Sequence, residues 1–175
     1  MVALYMKAQD ILVVLKLLSK LISSQTWSQR ELASELGISV GEINSSLKRN
    51  QKSGFLDAEL IPVKYAIKEF LLHGFKYCFP AEIGQPTRGI KTAYAAPFLA
   101  EQFASQELPP VWPDPDGKEK GIEFKPLYKS VPFAIKNDPQ LYRFLALLDI
   151  LRSGRKREIN FAQEQLKNEI EQITA

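Results

Sequence analysis

The stretch SQRELASELGIS, residues 28–39, decides the fold of this chain. Ser28 is followed three positions later by Glu31, and Ser39 is followed three positions later by Glu42. At this spacing a serine hydroxyl and a glutamate carboxylate satisfy the free amides at the start of a helix, an arrangement called a capping box. The sequence therefore predicts two short helices, one beginning after each serine.

The turn between these helices is predicted at Gly37, which can end the first helix in a left-handed conformation. Ala33 is small enough for the second helix to pass over it. Apolar residues at helical spacing supply a shared core: Leu32, Leu36, Ile38, Ile43 and Leu47. Two helices that cross at a tight turn in this way form a helix-turn-helix, although helical hairpins of other folds can imitate the pattern.

Residues 7–22 predict a preceding helix with two apolar faces. One face carries Ile11, Leu15, Leu18 and Ile22, and the other carries Val13, Leu17 and Leu21. Two apolar faces require two partners. We expect one face to cover the helix-turn-helix and the other to contact the C-terminal half or a second subunit.

After the helix-turn-helix, the sequence predicts one more helix and one hairpin. Pro62 suits the first position of a helix that keeps its apolar period to His73. Residues 76–83 and 89–95 have the composition of strands, and the turn-forming residues 84–88 join them. This pattern indicates a β-hairpin.

The rest of the chain is predicted to be helical after an extended segment rich in proline. A helix begins at Asp138 and Pro139, and a last helix carries an apolar stripe over 159–173. We expect these helices to pack on Leu4, Val13 and Leu17 or on a second subunit. The predicted fold is thus mainly α with a small β-hairpin. Its predicted parts are an N-terminal winged helix-turn-helix domain at 1–107, a proline-rich connector at 108–121 and a helical dimerisation or partner-binding region at 122–175.

Composition limits the function. The chain has 175 residues and a net charge of +3, so any attraction for DNA must come from a local patch. Its single cysteine, Cys78, excludes an internal disulfide, and a lone histidine, His73, offers little for a catalytic or metal centre. We read Cys78 as a buried thiol and His73 as a cap or core residue. No membrane span, signal peptide, phosphate-binding loop or cofactor motif is recognisable, so we expect a cytoplasmic protein that is not an enzyme and needs no metal or cofactor.

Residues 28–39, followed by LKRNQKSGFL at 47–56, resemble the core of bacterial winged helix-turn-helix regulators of the MarR-like type. The resemblance covers roughly the first third of the chain and implies a transcriptional regulator that binds double-stranded DNA. In such regulators the wing hairpin directly follows the recognition helix. Here the predicted helix from Pro62 intervenes, which leaves open whether the hairpin at 76–95 is the wing.

Candidate DNA contacts follow from the 100° step of the second helix. With Ile43 and Leu47 buried, four residues project outward and two lie on the flanks of that face. Cations of the predicted hairpin could add contacts to the DNA backbone, and solvated surface charge is the alternative. The candidate DNA-binding residues are Ser39, Gly41, Asn44, Ser45, Lys48, Arg49, Lys52, Arg88 and Lys91.

Two classes of function remain open at this point. One is a dimeric repressor or activator on an inverted repeat, with a homodimer formed through the N-terminal and C-terminal helices. The other is a protein-interaction module, such as an antitoxin-like partner of a toxin, built on a winged-helix scaffold. The basic cluster at 152–157 is read as offsetting a helix dipole, with a phosphate or acidic-partner contact as the alternative.

Overall fold

A computed structural model describes residues 5–103 and 107–173. The first part contains α1 (Ala8–Ile22), α2 (Gln29–Leu36), α3 (Val40–Lys52), α4 (Lys64–Glu69), α5 (Phe75–Cys78) and β1 (Ile83–Lys91). The second contains β2 (Pro110–Pro113), β3 (Glu119–Phe124), α6 (Val131–Ala134), α7 (Pro139–Ser153) and α8 (Lys156–Glu171). The prediction of a mainly α protein with a small β element is confirmed.

Helix α1 lies at the centre of the molecule. Every residue from Gln9 to Lys20 is buried, and the helix packs on α2 and α3 on one side and on α7 on the other. This confirms the prediction of two apolar faces with two partners. Leu4, which was predicted to help pack the C-terminal helices, lies outside the described residues.

The turn between α2 and α3 forms as the local signals predict. Gly37 ends α2 with φ +62°, and the Ser28–Glu31 capping box is complete. At the start of α3, the hydroxyl of Ser39 accepts a hydrogen bond from the Glu42 amide. The predicted second capping box is only half formed, because the Glu42 carboxylate accepts a hydrogen bond from the Gln9 side chain instead.

A short hairpin directly follows α3. Leu56 and Pro62 form an antiparallel bridge, and the Val63 amide donates to the Phe55 carbonyl at 2.8 Å. The carboxylate of Asp57 accepts the amide of Ile61 at 2.8 Å and so closes the loop. The next helix therefore begins at Lys64 and not at Pro62, because Pro62 belongs to this 56–62 hairpin.

The predicted hairpin at 76–95 is wrong. Helix α4 continues through a π-helical turn, Phe70–Gly74, into α5, so residues 75–78 are helical. Strand β1 then runs through the predicted loop at 84–88 as one strand and pairs antiparallel with both β2 and β3. The partners of β1 are supplied by residues that follow it by about twenty or more positions, which local turn chemistry does not reveal.

The predicted proline-rich connector is also wrong. Pro110 and Pro113 occupy the two ends of β2, and Val111 and Trp112 between them are buried. Proline is tolerated at a strand terminus, where no ladder hydrogen bond is lost. Because β1 pairs with β2 and β3, strand pairing crosses the boundary that was placed at 108–121.

The apolar surface of α7 and α8 is covered within the chain. The apolar residues spread around α7, part of whose surface was expected to face a second subunit, are 3% exposed or less: Leu141, Phe144, Leu145, Leu147, Leu148 and Leu151. Val13 and Leu17 of α1 are likewise buried, and α7 and α8 pack on each other. The surface argument for a homodimer through these helices is therefore wrong. None of the helices described is long and apolar enough to cross a membrane.

A buried ionic cluster joins α1, α2 and α7. The Lys16 ammonium lies 2.7 Å from Asp138 Oδ2 and 2.8 Å from Glu35 Oε2, and Lys20 lies 2.7 Å from Glu35 Oε1. The Ser19 hydroxyl donates to Asp138, which also accepts the Leu141 amide and caps α7. The cluster ties α1 and α2 to the C-terminal half through charged groups.

A second buried carboxylate joins α7 to the sheet. Asp149 accepts hydrogen bonds from Thr92 and from the Trp112 indole at 2.7 Å each, and it lies 2.5 Å from Arg152. Burial raises the pKa of Asp149, while Arg152 and the two hydrogen bonds oppose that rise. Arg152 also stacks on the Phe124 ring, so it is a packed residue and not a solvated cation at a helix end.

Candidate nucleic-acid interface

The outward surface of α3 is polar and accessible. Ser39, Gly41, Lys48 and Lys52 are exposed, and a Cβ added at Gly41 would meet no atom within 4 Å. Ser45 is half-buried at the edge of this surface. The predicted outward orientation of these residues is confirmed, and the structure brings them together on one helix face.

The inner surface of α3 explains that orientation. Ile43, Ser46, Leu47 and Asn50 are buried, and α3 packs there on α1 and α2. Residues three and four positions apart share a helix face, so burying 43, 46, 47 and 50 turns 41, 45, 48 and 52 towards solvent. The apolar spacing of Ile43 and Leu47 thus decides which side chains a ligand can reach.

Asn44 connects the two helices of the motif. Its side-chain amide donates to Gln29 Oε1 over 3.3 Å, and the residue is half-buried. Gln29 is the first residue of α2, and the neighbouring Arg30 is exposed. Arg30 is a cation that sequence reasoning missed. Its place in the first turn of the predicted helix, two residues after Ser28, was the available signal.

Arg49 is not free to bind a ligand with its charge, which corrects the prediction for this residue. Its guanidinium donates from Nε and Nη2 to the two carboxylate oxygens of Asp10, at 2.8 Å and 2.7 Å. The Asp10 side chain is 1% exposed and the Arg49 side chain 10%. The hydrogen bonds to Asp10 raise the pKa of Arg49, so the pair is ionic.

Arg88 and Lys91 lie on β1 and not in a hairpin beside α3. Arg88 is exposed opposite Lys120 on β3, and Lys91 lies 3.2 Å from Glu119. The Lys91 carbonyl accepts a hydrogen bond from the Tyr142 hydroxyl of α7. The sheet therefore packs beside α7. Because Arg88 and Lys91 do not lie on a hairpin next to α3, the reason for assigning them to a DNA-binding wing no longer holds.

Residues considered for catalysis or metal binding are scattered. Cys78 and His73 are both exposed, so the predictions of a buried thiol and of a core histidine are wrong. His73 does not cap a helix end either, because the π-helical turn that contains it continues into α5. Within 5–103 and 107–173, no three His, Cys, Asp or Glu side chains form a group that could hold a metal ion.

Comparison of the chain with protein-family models, with curated proteins and with solved structures finds no match in any of the three. The resemblance of residues 28–56 to MarR-like regulators therefore stays a prediction from the sequence.

Proposed function

We propose that this protein binds double-stranded DNA in a sequence-specific manner and regulates transcription, with α3 as its recognition helix. Helices α1, α2 and α3 would form the helix-turn-helix unit, and the 56–62 hairpin, which directly follows α3, would take the place of the wing. In a bacterium such a regulator would act in the cytoplasm.

The observation that carries the proposal is the exposed polar face of α3. Ser39 and two lysines, Lys48 and Lys52, are exposed on this face, Asn44 and Ser45 are half-buried at its edge, and the opposite face of the helix is buried in the core. In a major groove, Asn44 can pair with an adenine edge and Lys48 with a guanine or a phosphate, while Gly41 allows close approach. Lys48 and Lys52 form no ion pair with any residue in the described part of the chain that would compete with a phosphate.

The test measures DNA affinity as a function of salt concentration. Duplexes would first be selected from a random pool with the wild-type protein, and the double variant Lys48→Ala, Lys52→Ala would then be compared with it. Each lost phosphate contact lowers the slope of log K against log salt by about 0.9, so the slope should fall by about 2.

A matched control removes two exposed cations from the start of α8. The double variant Lys156→Ala, Arg157→Ala has the same change in net charge, and both residues are exposed. It should keep the wild-type slope if attraction is local to α3. Equal slopes for the two double variants would contradict the assignment of α3.

A homodimer remains part of the proposal on grounds of symmetry. Two recognition helices about one DNA turn apart match an inverted repeat. Light scattering of the complex with DNA should give the mass of two chains plus one duplex, and the subunit contact must use surface other than the buried faces of α1 and α7. A mass of one chain with a single half-site footprint would contradict this part.

The second candidate function is a protein-interaction module, such as an antitoxin-like partner. Its supporting observation is an apolar strip that runs from the end of the 56–62 hairpin into α4, where Ile61, Val63 and Tyr65 are 46%, 36% and 71% exposed. Neighbouring exposed apolar side chains are typical of protein contacts. If the folded wild-type protein selects no duplex from the pool at low salt, this candidate replaces the first.

A further inference from the structure

The contact between α1 and α3 contains a buried carboxylate with directional partners. Asp10 is 0% exposed, and its Oδ2 accepts both the Lys7 amide at 2.8 Å and Arg49 Nε at 2.8 Å. Its Oδ1 accepts Arg49 Nη2 at 2.7 Å. The two parallel bonds from one guanidinium define the plane and the distance of the pair, unlike an apolar contact.

The next residue of α3 binds the same residue of α1. The Asn50 side-chain amide donates to the Asp10 carbonyl at 3.0 Å, and Asn50 is 1% exposed. Consecutive residues of α3 thus hold both the side chain and the backbone of Asp10. Such an arrangement fixes α3 along its axis and also around it.

A rotation of α3 about its axis would change DNA binding, because the buried face and the exposed face belong to one rigid helix. Lys48 precedes Arg49 by one residue and Lys52 follows it by three, and each residue is separated from the next by 100°. A rotation that breaks the Asp10–Arg49 pair would therefore move the exposed lysines by the same angle. The apolar contacts of Ile43 and Leu47 are non-directional and resist such a rotation less.

We propose that Asp10 and Arg49 are positioning residues for DNA binding: they set the rotation of α3 without touching DNA. This inference rests on the proposed function of α3. Arg49 then acts through its buried contact with Asp10, and not through the direct contact with DNA that was predicted from the sequence.

The experiment compares Asp10→Asn, Arg49→Met and Arg49→Lys with Lys48→Ala on the duplexes selected by the wild-type protein. Each is measured at a temperature where circular dichroism shows it to be folded. If α3 spends about a tenth of its time correctly oriented, the apparent affinity falls about tenfold. We expect that loss for Asp10→Asn and Arg49→Met, with the salt slope unchanged, whereas Lys48→Ala should lower the slope by about 0.9.

Two further measurements distinguish a positioning role of the Asp10–Arg49 pair from a role in stability alone. The double variant Asp10→Asn, Arg49→Met should bind as weakly as either single variant, because both break one pair. Arg49→Lys keeps the charge but not the two parallel bonds, so it should fold and should still lose most of the affinity. A purely structural role would lower the unfolding temperature and leave the affinity of the folded variants at the wild-type value.

The inference is overturned if folded Asp10→Asn binds as the wild type does, or if Arg49→Met lowers the salt slope by about 0.9 while Asp10→Asn does not. The latter result would mean that Arg49 contacts a phosphate. Failure of the wild-type protein to bind any selected duplex is a different outcome, which overturns the proposed function and this inference with it.

Discussion

Removing the ammonium group of Lys16 should destabilise the whole chain and not only the C-terminal half. Lys16 is 5% exposed and Asp138 is 8% exposed, so the variant Lys16→Met leaves a buried carboxylate without a cation. Removing one partner of a buried ion pair costs about 3–5 kcal/mol. Glu35 keeps Lys20 as a partner and is 36% exposed in its side chain, so we place the cost at the lower end, about 3 kcal/mol.

This cost can be measured by urea unfolding and by a double-mutant cycle. For a chain of this size, about 3 kcal/mol lowers the unfolding temperature by about 6–12 °C. Asp138→Asn keeps a side-chain acceptor to cap α7 and removes the charge. The double variant Lys16→Met, Asp138→Asn should therefore lose less than the sum of the single losses, with a coupling of about 1–3 kcal/mol.

The two tryptophans report the two halves separately. Trp27 precedes α2, whereas Trp112 lies in β2, and each can be observed alone after substituting the other by phenylalanine. Replacing Trp112 removes its hydrogen bond to buried Asp149 and changes stability, so the fluorescence midpoint of each variant is compared with the circular dichroism midpoint of the same variant. Because the ionic cluster and the core join the halves, these two urea midpoints should agree in both variants. A coupling below about 0.5 kcal/mol, or two distinct midpoints, would refute the reasoning and favour two independent units.

Three further predictions concern stability. Gly37→Ala should lower the unfolding free energy by about 1–2 kcal/mol in urea titrations, because φ is +62° and the new Cβ would lie 3.1 Å from the Phe133 ring; a neutral effect would contradict the left-handed turn. Asp149→Ala should cost about 3 kcal/mol or more and change the fluorescence of Trp112, since Arg152 would be left buried and unpaired; an unchanged midpoint would contradict this account. Burial raises the pKa of Glu35, but hydrogen bonds from Lys16 and Lys20 outweigh that effect and hold the pKa below its ordinary value of 4.5. The ionised Glu35 side chain therefore contributes stability above that pH, and this contribution is lost as the pH falls through the folded-state pKa. The wild type should lose more stability on acidification than Glu35→Gln does, and parallel pH profiles would contradict the assignment.

Helices α2 and α3 and the turn between them could be predicted because their signals are local. Ser28 and Glu31 are three residues apart, Gly37 needs only its own backbone conformation, and the burial of Ile43 and Leu47 follows from helical spacing. These features are specified within one or two turns of chain. For the same reason, the orientation of the α3 face was predicted correctly.

The sheet and the ion pairs could not be predicted because their partners are distant. Strand β1 contains Pro86 and turn-forming residues, and only its pairing with β2 and β3 makes it a strand. Arg49 was placed on the flank of α3 by its spacing, but its partner Asp10 is 39 positions away. A helical wheel gives the direction of a side chain and not the identity of the group it meets.

The burial of α1 from Gln9 to Lys20 has a consequence for how this protein can be divided. A fragment that stops after the 56–62 hairpin would contain every candidate contact on α3, yet it would expose the side of α1 that α7 covers. Such a fragment should aggregate and not bind as a transferable module. A substitution in α1 affects its contacts with α3 and its contacts with α7 at the same time. The orientation of the α3 surface and the packing of the C-terminal half therefore both depend on this one helix.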